Sequence, residues 1–328
     1  MRRLPALDGL RAISIMLVLG CHMLPLGPKV LQLNESAGAM GMSLFFGLSG
    51  FLMVSTLLDN PDVTEFLIRR LTRIVPLAYA YTFIVFGIVF YDPRTIMWTV
   101  SFLVNYRGEL NSYNSHFWSL CVEVHFYLSI ALVVALLGKK GVWLVWPICI
   151  AITALRIGTG PAAYYSALDQ LRMDELLAGG CVATLYQKSW SDRASVSAPI
   201  VGLAALLWFV SSAAFSGWFQ FFRPYMTALL MASVLAHANS LIARFLASRA
   251  MAYVATISYA LYVIHQLTVQ GWMNTGSIFD RYLLKRPVSL ALTFGAAHFS
   301  TFYWEKFWMR AGKLWIESRR KRRLLPVT

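Results

Sequence analysis

The sequence predicts an all-α, polytopic membrane protein of about ten transmembrane helices plus a short re-entrant or interfacial helix, with both termini in the cytoplasm (N-in, C-in). Three observations carry this. The 328 residues are 58% hydrophobic and only 13% charged, with a mean hydropathy of +0.59, a balance that excludes a soluble single-core domain. Apolar runs near the bilayer-spanning length of roughly 20 residues recur from one end to the other. Finally, the Lys and Arg residues behind the +14 net charge are distributed unevenly between the loops.

The predicted spans are about 10–26, 38–58, 74–91, 118–138, 142–157, 173–187, 199–214, 219–238, 252–273 and 287–308. The first resembles a secretory signal, with Arg2 and Arg3 ahead of Ile13 to Gly20. However, Asp8 and Arg11 interrupt its entry and no small-x-small cleavage site follows, so an uncleaved span is expected. The second, MGMSLFFGLSGFLM, sets Gly47, Ser49 and Gly50 among phenylalanines; small residues there serve either close helix packing or a slot for a thin acyl or pantetheine chain. A loop bearing Arg69, Arg70 and Arg73 follows, and Pro76 opens the third span. Thr95 to Asn105 is too short to cross and supplies the re-entrant or interfacial helix. An even number of crossings returns both termini to one side. That side holds 19 of the 29 Lys and Arg, including Arg2, Arg3, Lys139, Lys140, Lys188, Arg193 and the run Arg319 to Arg323. The bias marks the cytoplasm and explains the positive charge without nucleic acid. The terminal run is expected to anchor on the inner leaflet of the membrane lipids. Residues 1–328 read as a single integral-membrane domain.

Charge inside such spans is costly and tends to mark function. Arg11 and His22 lie eleven residues apart, about three turns and roughly 16 Å along one helix face. One face therefore presents a permanent cation near the inner surface and a titratable base deeper in. Arg70 and Arg73 share a helical face, and guanidinium groups suit bidentate phosphate contacts. In HFWSLCVEVHFYL, Ser119, Glu123 and Tyr127 fall four apart on one face, with Glu123 expected at the depth of His22. A carboxylate holding one ring nitrogen of His22 would fix its tautomer; a structural Glu123–Tyr127 hydrogen bond is the alternative. His125 points elsewhere. Ser258, Tyr262 and His265 share a face in ISYALYVIH, with His265 either a second catalytic imidazole or a packing residue. His116, in the outer lead-in NSYNSH, could touch an acceptor, whereas His237 and His298 read as structural. Cys21, Cys121, Cys149 and Cys181 have neither metal-ligand nor disulfide spacing, and no metal site is expected.

Taken together, LDGLRAISIMLVLGCH, SLFFGLSGFL, FLIRRLTRIVP, FWSLCVEVHFYL, RMDELLAGG and ISYALYVIH resemble, in order and spacing, the membrane-bound acyltransferase-3 family. The resemblance covers essentially the whole chain. It implies a multi-pass enzyme of the bacterial inner membrane that moves an acyl group from cytosolic acyl-CoA to a hydroxyl of a cell-surface glycan or lipid-linked sugar. The implied donor is a co-substrate, foremost acetyl-CoA, with no tightly bound cofactor, and contact with glycan biosynthesis or export proteins is implied as well. By the same resemblance, Arg11 and His22 match the family's first-helix pair, and Arg70 and Arg73 its basic loop. Trp118, Glu123 and Tyr127 match its tryptophan–glutamate–tyrosine motif, and Ser258, Tyr259 and His265 its serine–tyrosine–histidine motif. The family's Glu-Lys-Pro step is Glu305-Lys306-Phe307 here, so that helix is expected to continue where relatives bend. No SGNH-type domain is found in these residues, and transfer is expected within the membrane domain.

The site set is accordingly His22, Glu123 and His265 for catalysis and Arg11, Arg70, Arg73 and Ser49 for acyl-CoA, supported by Asp8, Trp118, Ser119, Tyr127, Ser258, Tyr259 and Tyr262. Two other classes compete: a secondary transporter, which should show two similar halves, and a non-catalytic membrane component of a glycan-export complex.

Overall fold

A computed structural model describes residues 4–107, 110–160, 167–187, 197–237, 240–270 and 272–324. Arg2, Arg3, Lys188 and Arg193, and the side chain of Arg323, lie outside the described residues. In chain order the α-helices are α1 (Pro5–Met23), α2 (Leu33–Asp59), α3 (Val63–Thr82), α4 (Pro93–Val100), α5 (Val104–Arg107), α6 (Phe117–Leu137), α7 (Val145–Thr159), α8 (Met173–Gln187), α9 (Ala198–Ser212), α10 (Arg223–Ala236), α11 (Leu241–Leu246), α12 (Arg249–Val269), α13 (Arg286–Phe299) and α14 (Lys306–Leu324). Among the described residues there are no strands. Among the described residues, five helical segments are long and apolar enough to cross a membrane: Pro5–Met23, Lys29–Asp59, Val63–Val89, Phe117–Thr159 and Arg249–Val269.

Local chemistry sets the helix starts. Pro5 opens α1 where its missing N–H costs nothing, and Asp8 sits in the first turn facing the positive end of the helix dipole. Ser248 caps α12 and Asp92 caps α4 by accepting a backbone N–H. The stretch expected to be a loop around Arg69, Arg70 and Arg73 is helical. Asp62 accepts the backbone N–H of Glu65 at 3.0 Å, the cap closes a first turn, and α3 runs straight through Pro76. Proline forfeits one backbone bond there, but the apolar face carrying Phe66, Ile74 and Leu77 is buried and holds the helix together. The expected re-entrant stretch is two short helices, α4 and α5, broken at Phe102, whose φ is +56°. At the other end, α13 passes into α14 through a π-helical turn at Ser300–Glu305, so the helix does continue past Lys306-Phe307. It reaches Leu324, where Arg319 pairs with Asp62 at 3.0 Å and Arg320 with Glu65. The front of the terminal basic run is therefore engaged by the α2–α3 corner of the chain itself.

The tightest crossing is between α2 and α8. A Cβ on Gly50 would collide with the carbonyl of Leu176, and one on Gly179 with the carbonyl of Gly47. Gly47 and Gly50 thus serve helix packing, the first of the two readings open for them. Close approach of this kind supplies van der Waals attraction where lipid offers no hydrophobic drive.

Behind that crossing lies a buried ionic network. Asp174 takes two contacts from the Arg156 guanidinium, at 2.6 and 2.8 Å, and a third bond from Thr153. Glu175 accepts from Arg172 at 3.3 Å and Arg223 at 3.1 Å. Pairing makes these charges tolerable at membrane depth. They tie α7, α8 and α10 into one block against which α2 is held.

Candidate functional site

Three cavities follow α1 along the bundle. The outermost, about 440 Å³, is lined by His22, Cys21, Glu35, Met42, His116, Trp118, Arg172, Tyr262 and Gln266, among others. Its volume suits a small ligand. The middle one, about 30 Å³, is a slit lined by Arg11, Phe45, Ser49, Arg70, Arg73, Ile74, Glu123, Tyr127, Ser258 and Tyr259. The third, about 210 Å³, shares Arg11 and Arg73 with the slit and adds Asp8, Thr256, Thr301 and Glu305.

The hydrogen bonds of the outer cavity determine how its imidazoles are protonated. His265 is fully buried, and its Nδ1 lies 2.6 Å from the Tyr262 carbonyl oxygen. A carbonyl can only accept, so Nδ1 carries the proton, and in the neutral ring Nε2 is then a lone pair. That Nε2 lies 3.2 Å from Nδ1 of His22. His22 must then donate from Nδ1, leaving its own Nε2 unprotonated. The two rings stack at 5.0 Å between centroids. A backbone carbonyl, relayed through His265, thereby puts His22 in the tautomer of a base. The Tyr262 hydroxyl donates to the His116 carbonyl and contacts Ser119, both at 2.6 Å, which ties α12 to the start of α6. Trp118 lies edge-on to Phe46 and face-on to the Arg172 guanidinium, 4.5 Å from its ring centroid.

The slit is electrostatically different. Three guanidinium groups and one carboxyl group line it, so cationic groups outnumber acidic ones. Glu123 is buried and accepts the Tyr127 hydroxyl at 2.7 Å. Arg70 makes only long contacts, to the Leu52 carbonyl at 3.5 Å and Thr56 at 3.3 Å, and lies over the Phe66 ring. It is therefore held in place with hydrogen-bonding capacity to spare. Tyr259 donates to the Ile74 carbonyl at 2.6 Å, Ser258 to that of Ala255 at 2.9 Å, and both form part of the wall. Between the two cavities, the Phe45 ring stacks on Tyr262 at 5.9 Å and 11°.

The structure thus gathers Arg11, Arg70, Arg73 and Ser49 in one cavity, together with Glu123, Tyr127, Ser258 and Tyr259. It gathers His22, Trp118 and Tyr262 in another, with His265 and Ser119 behind them. Asp8 faces the third. The expected pairing of Glu123 with His22 is not what forms: Glu123 bonds Tyr127 in the cationic slit, and His265 holds the ring of His22. Equal depth in the bundle is not contact, because the Phe45–Tyr262 stack lies between the two cavities. His125 lies outside all three, its Nδ1 3.1 Å from Gln170, and His298 bonds Tyr253.

Several lining residues escaped the sequence reading. Glu305 is buried in the π-helical turn, accepting the Ser300 and Thr301 hydroxyls at 3.3 and 3.0 Å, and it faces the third cavity. Its signal was an acid inside an apolar run, which had been read only for helix bending. Glu35, Arg172 and Gln266 line the outer cavity; nothing in their local pattern sets them apart.

Comparison with known proteins identifies the family. The acyltransferase domain profile of the acyltransferase-3 family matches residues 4–304. The chain is 26% identical over 315 residues to the O-acetyltransferase OatA of Staphylococcus aureus, covering 80% of this chain and 50% of that protein. It is 27% identical over 316 residues to the peptidoglycan O-acetyltransferase OatA of Listeria monocytogenes, covering 80% and 48%. A putative O-acetyltransferase of S. aureus is 26% identical over 319 residues, covering 81% and 50%. The chain spans about half the length of these curated relatives. No solved structure matches it. With the profile covering nearly all of its helices, the chain belongs to the acyltransferase-3 family of membrane-bound acyltransferases.

Proposed function

We propose that the chain is an O-acyltransferase, foremost an O-acetyltransferase, moving an acyl group from cytosolic acetyl-CoA to a hydroxyl of a cell-surface glycan or lipid-linked sugar. The observation carrying this reading is the tautomer chain from the Tyr262 carbonyl through His265 to His22, beside a slit lined by three guanidinium groups. Acyl transfer to a hydroxyl needs a base with an open lone pair at the reacting oxygen, and acyl-CoA needs fixed cations for its phosphates.

In this reading the donor enters beside the N-terminal end of α1, through the third cavity. Its phosphates sit on Arg11, Arg70 and Arg73, and its thin pantetheine arm threads past Ser49. Glu123, oriented by Tyr127, balances part of the slit's charge and acts on the donor side. His22 serves as general base or acyl relay, and His265 holds its tautomer. Trp118 and Tyr262 line the acceptor space, while Asp8, Ser119, Ser258 and Tyr259 support the walls. The orientation proposed is N-in and C-in with about ten crossings, and the 95–105 stretch as a re-entrant or interfacial segment, in the bacterial inner membrane. The acceptor class follows the names of the relatives, one of which is a peptidoglycan O-acetyltransferase.

The test combines two measurements. The purified chain in lipid nanodiscs should bind acetyl-CoA, and cells expressing it should carry more alkali-labile acetate on their envelope glycans than vector controls. Donor binding without added ester acetate would overturn the acceptor assignment; absence of both would overturn the reading.

A further inference from the structure

The outer cavity holds a second imidazole with an open lone pair. His116 sits at the start of α6, outside the run of apolar residues, and is 3% exposed. Its Nε2 lies 3.0 Å from the carbonyl oxygen of Val263 on α12. A carbonyl can only accept, so Nε2 carries the proton and Nδ1 is a lone pair. That Nδ1 is buried with no hydrogen-bond partner. An unpaired buried acceptor forfeits the water it left behind, a cost that native structures tend to avoid without a reason. The ring is braced on every side, by His265 at 5.4 Å, Tyr262 at 5.6 Å, Tyr81 at 5.4 Å and Phe117 at 4.9 Å between centroids. Its backbone carbonyl is clamped by the Tyr262 and Ser119 hydroxyls. The chain holds this imidazole rigidly, in one tautomer, in the wall of the cavity that His22 also lines.

We propose that Nδ1 of His116 is the hydrogen-bond acceptor for a hydroxyl of the incoming acceptor, an acceptor-binding residue distinct from His22. The proposal rests on the acyltransferase reading and deepens it at the outer cavity: the acceptor carries several hydroxyl groups there, not the single one of a fatty alcohol. His22 Nε2 and His116 Nδ1 are both acceptors, and a sugar bearing several hydroxyl donors satisfies both at once. A fatty alcohol has one hydroxyl for two acceptors.

Two substitutions separate this role from a structural one. An Asn amide oxygen reaches the place of Nδ1, whereas a Gln amide nitrogen reaches that of Nε2. His116→Asn keeps the acceptor that the proposal requires and gives up the bond to Val263; His116→Gln does the reverse. Each variant would be expressed in cells at matched membrane abundance. Ester acetate on the envelope glycans would be compared with wild type, with the empty vector and with His22→Ala, and acetyl-CoA binding would be measured on the purified proteins. The expected result is that His116→Gln loses at least about tenfold in ester acetate, the scale of one lost hydrogen bond to a buried acceptor. It should bind acetyl-CoA as wild type does, and His116→Asn should retain the greater activity. The opposite order, or two variants as active as wild type, would overturn the proposal, as would loss of donor binding in both. If both fall silent with donor binding intact, imidazole added to cells carrying His116→Ala decides: recovery supports the role and no recovery overturns it. Wild-type cells with no more ester acetate than the vector would instead sink the acyltransferase reading, with this proposal inside it.

Discussion

The two cavities flanking Phe45 are built from opposite kinds of polar chemistry. The slit carries three guanidinium groups, whose charge does not change, around one carboxyl group tied to a tyrosine. The outer cavity carries His22 and His116 with His265 behind them, groups that can exchange protons, and backbone carbonyls rather than carboxylates set their tautomers. Fixed charge suits a ligand whose own charge is fixed, such as a phosphate. Imidazole suits a reaction in which a proton must leave and return. Separating the two keeps the base away from the three guanidinium groups of the slit, whose field would hinder its protonation; the one guanidinium beside it in the outer cavity, Arg172, is bound to the Glu175 carboxylate.

The sharpest way to break this contrast is at His22. His22→Ala should lower ester transfer by about 10²- to 10⁴-fold, the usual worth of a positioned general base, while acetyl-CoA affinity stays unchanged in a titration. An equal loss of both would merge the two cavities into one functional unit. Next in size is the ionic block behind them. Asp174→Asn leaves Arg156 buried and underpaired, and should destabilise the protein by about 3–5 kcal/mol, read as a lower midpoint of thermal unfolding in detergent. Both cavities should fail together with heat, since α2 lines both and packs on that block.

Glu123→Gln keeps size and hydrogen bonding but removes the negative charge from the slit. Turnover should fall by about 10²-fold with acetyl-CoA still bound; full activity would reduce Glu123 to a packing residue. The smallest effect is expected from the outlying cations. Arg70→Ala and Arg73→Ala should each weaken acetyl-CoA binding by about tenfold, one charge-assisted bond apiece. What remains should be less sensitive to salt. Unchanged affinity in both would move the phosphates elsewhere.

The helices were legible in the sequence because hydropathy and capping are local properties. Pro5, Asp62 and Ser248 announce where helices begin, and the apolar runs between them mark what is buried. The same locality explains the error at Arg69 to Arg73: Pro76 has the look of a helix start, although the capping pair Asp62 and Glu65 lies fourteen and eleven residues upstream. The gathering of Arg11 with Arg70 and Arg73 was partly legible, since spacing set Arg70 and Arg73 on one face and Arg11 on the face that carries His22. The partner of His22 was not. Depth along two helices could be counted, but which side chains meet depends on how those helices rotate about their axes. For α1, that rotation is constrained by Gly9 against Leu246, a contact far away in sequence.

The stack of Phe45 on Tyr262 has an electrical consequence. If the slit opens to the cytoplasm and the outer cavity to the opposite face, as proposed, water reaches towards these two rings from either side. The membrane voltage then drops across little more than their thickness, at roughly 2.3 kcal/mol per elementary charge for each 100 mV. In that orientation the rings, 5.9 Å apart, would be the insulation between two wet compartments. A chain that passes an uncharged acyl group between them must do so without letting a proton or an ion follow. Trimming Phe45 to a small residue would make the protein a leak before it made it a poorer catalyst.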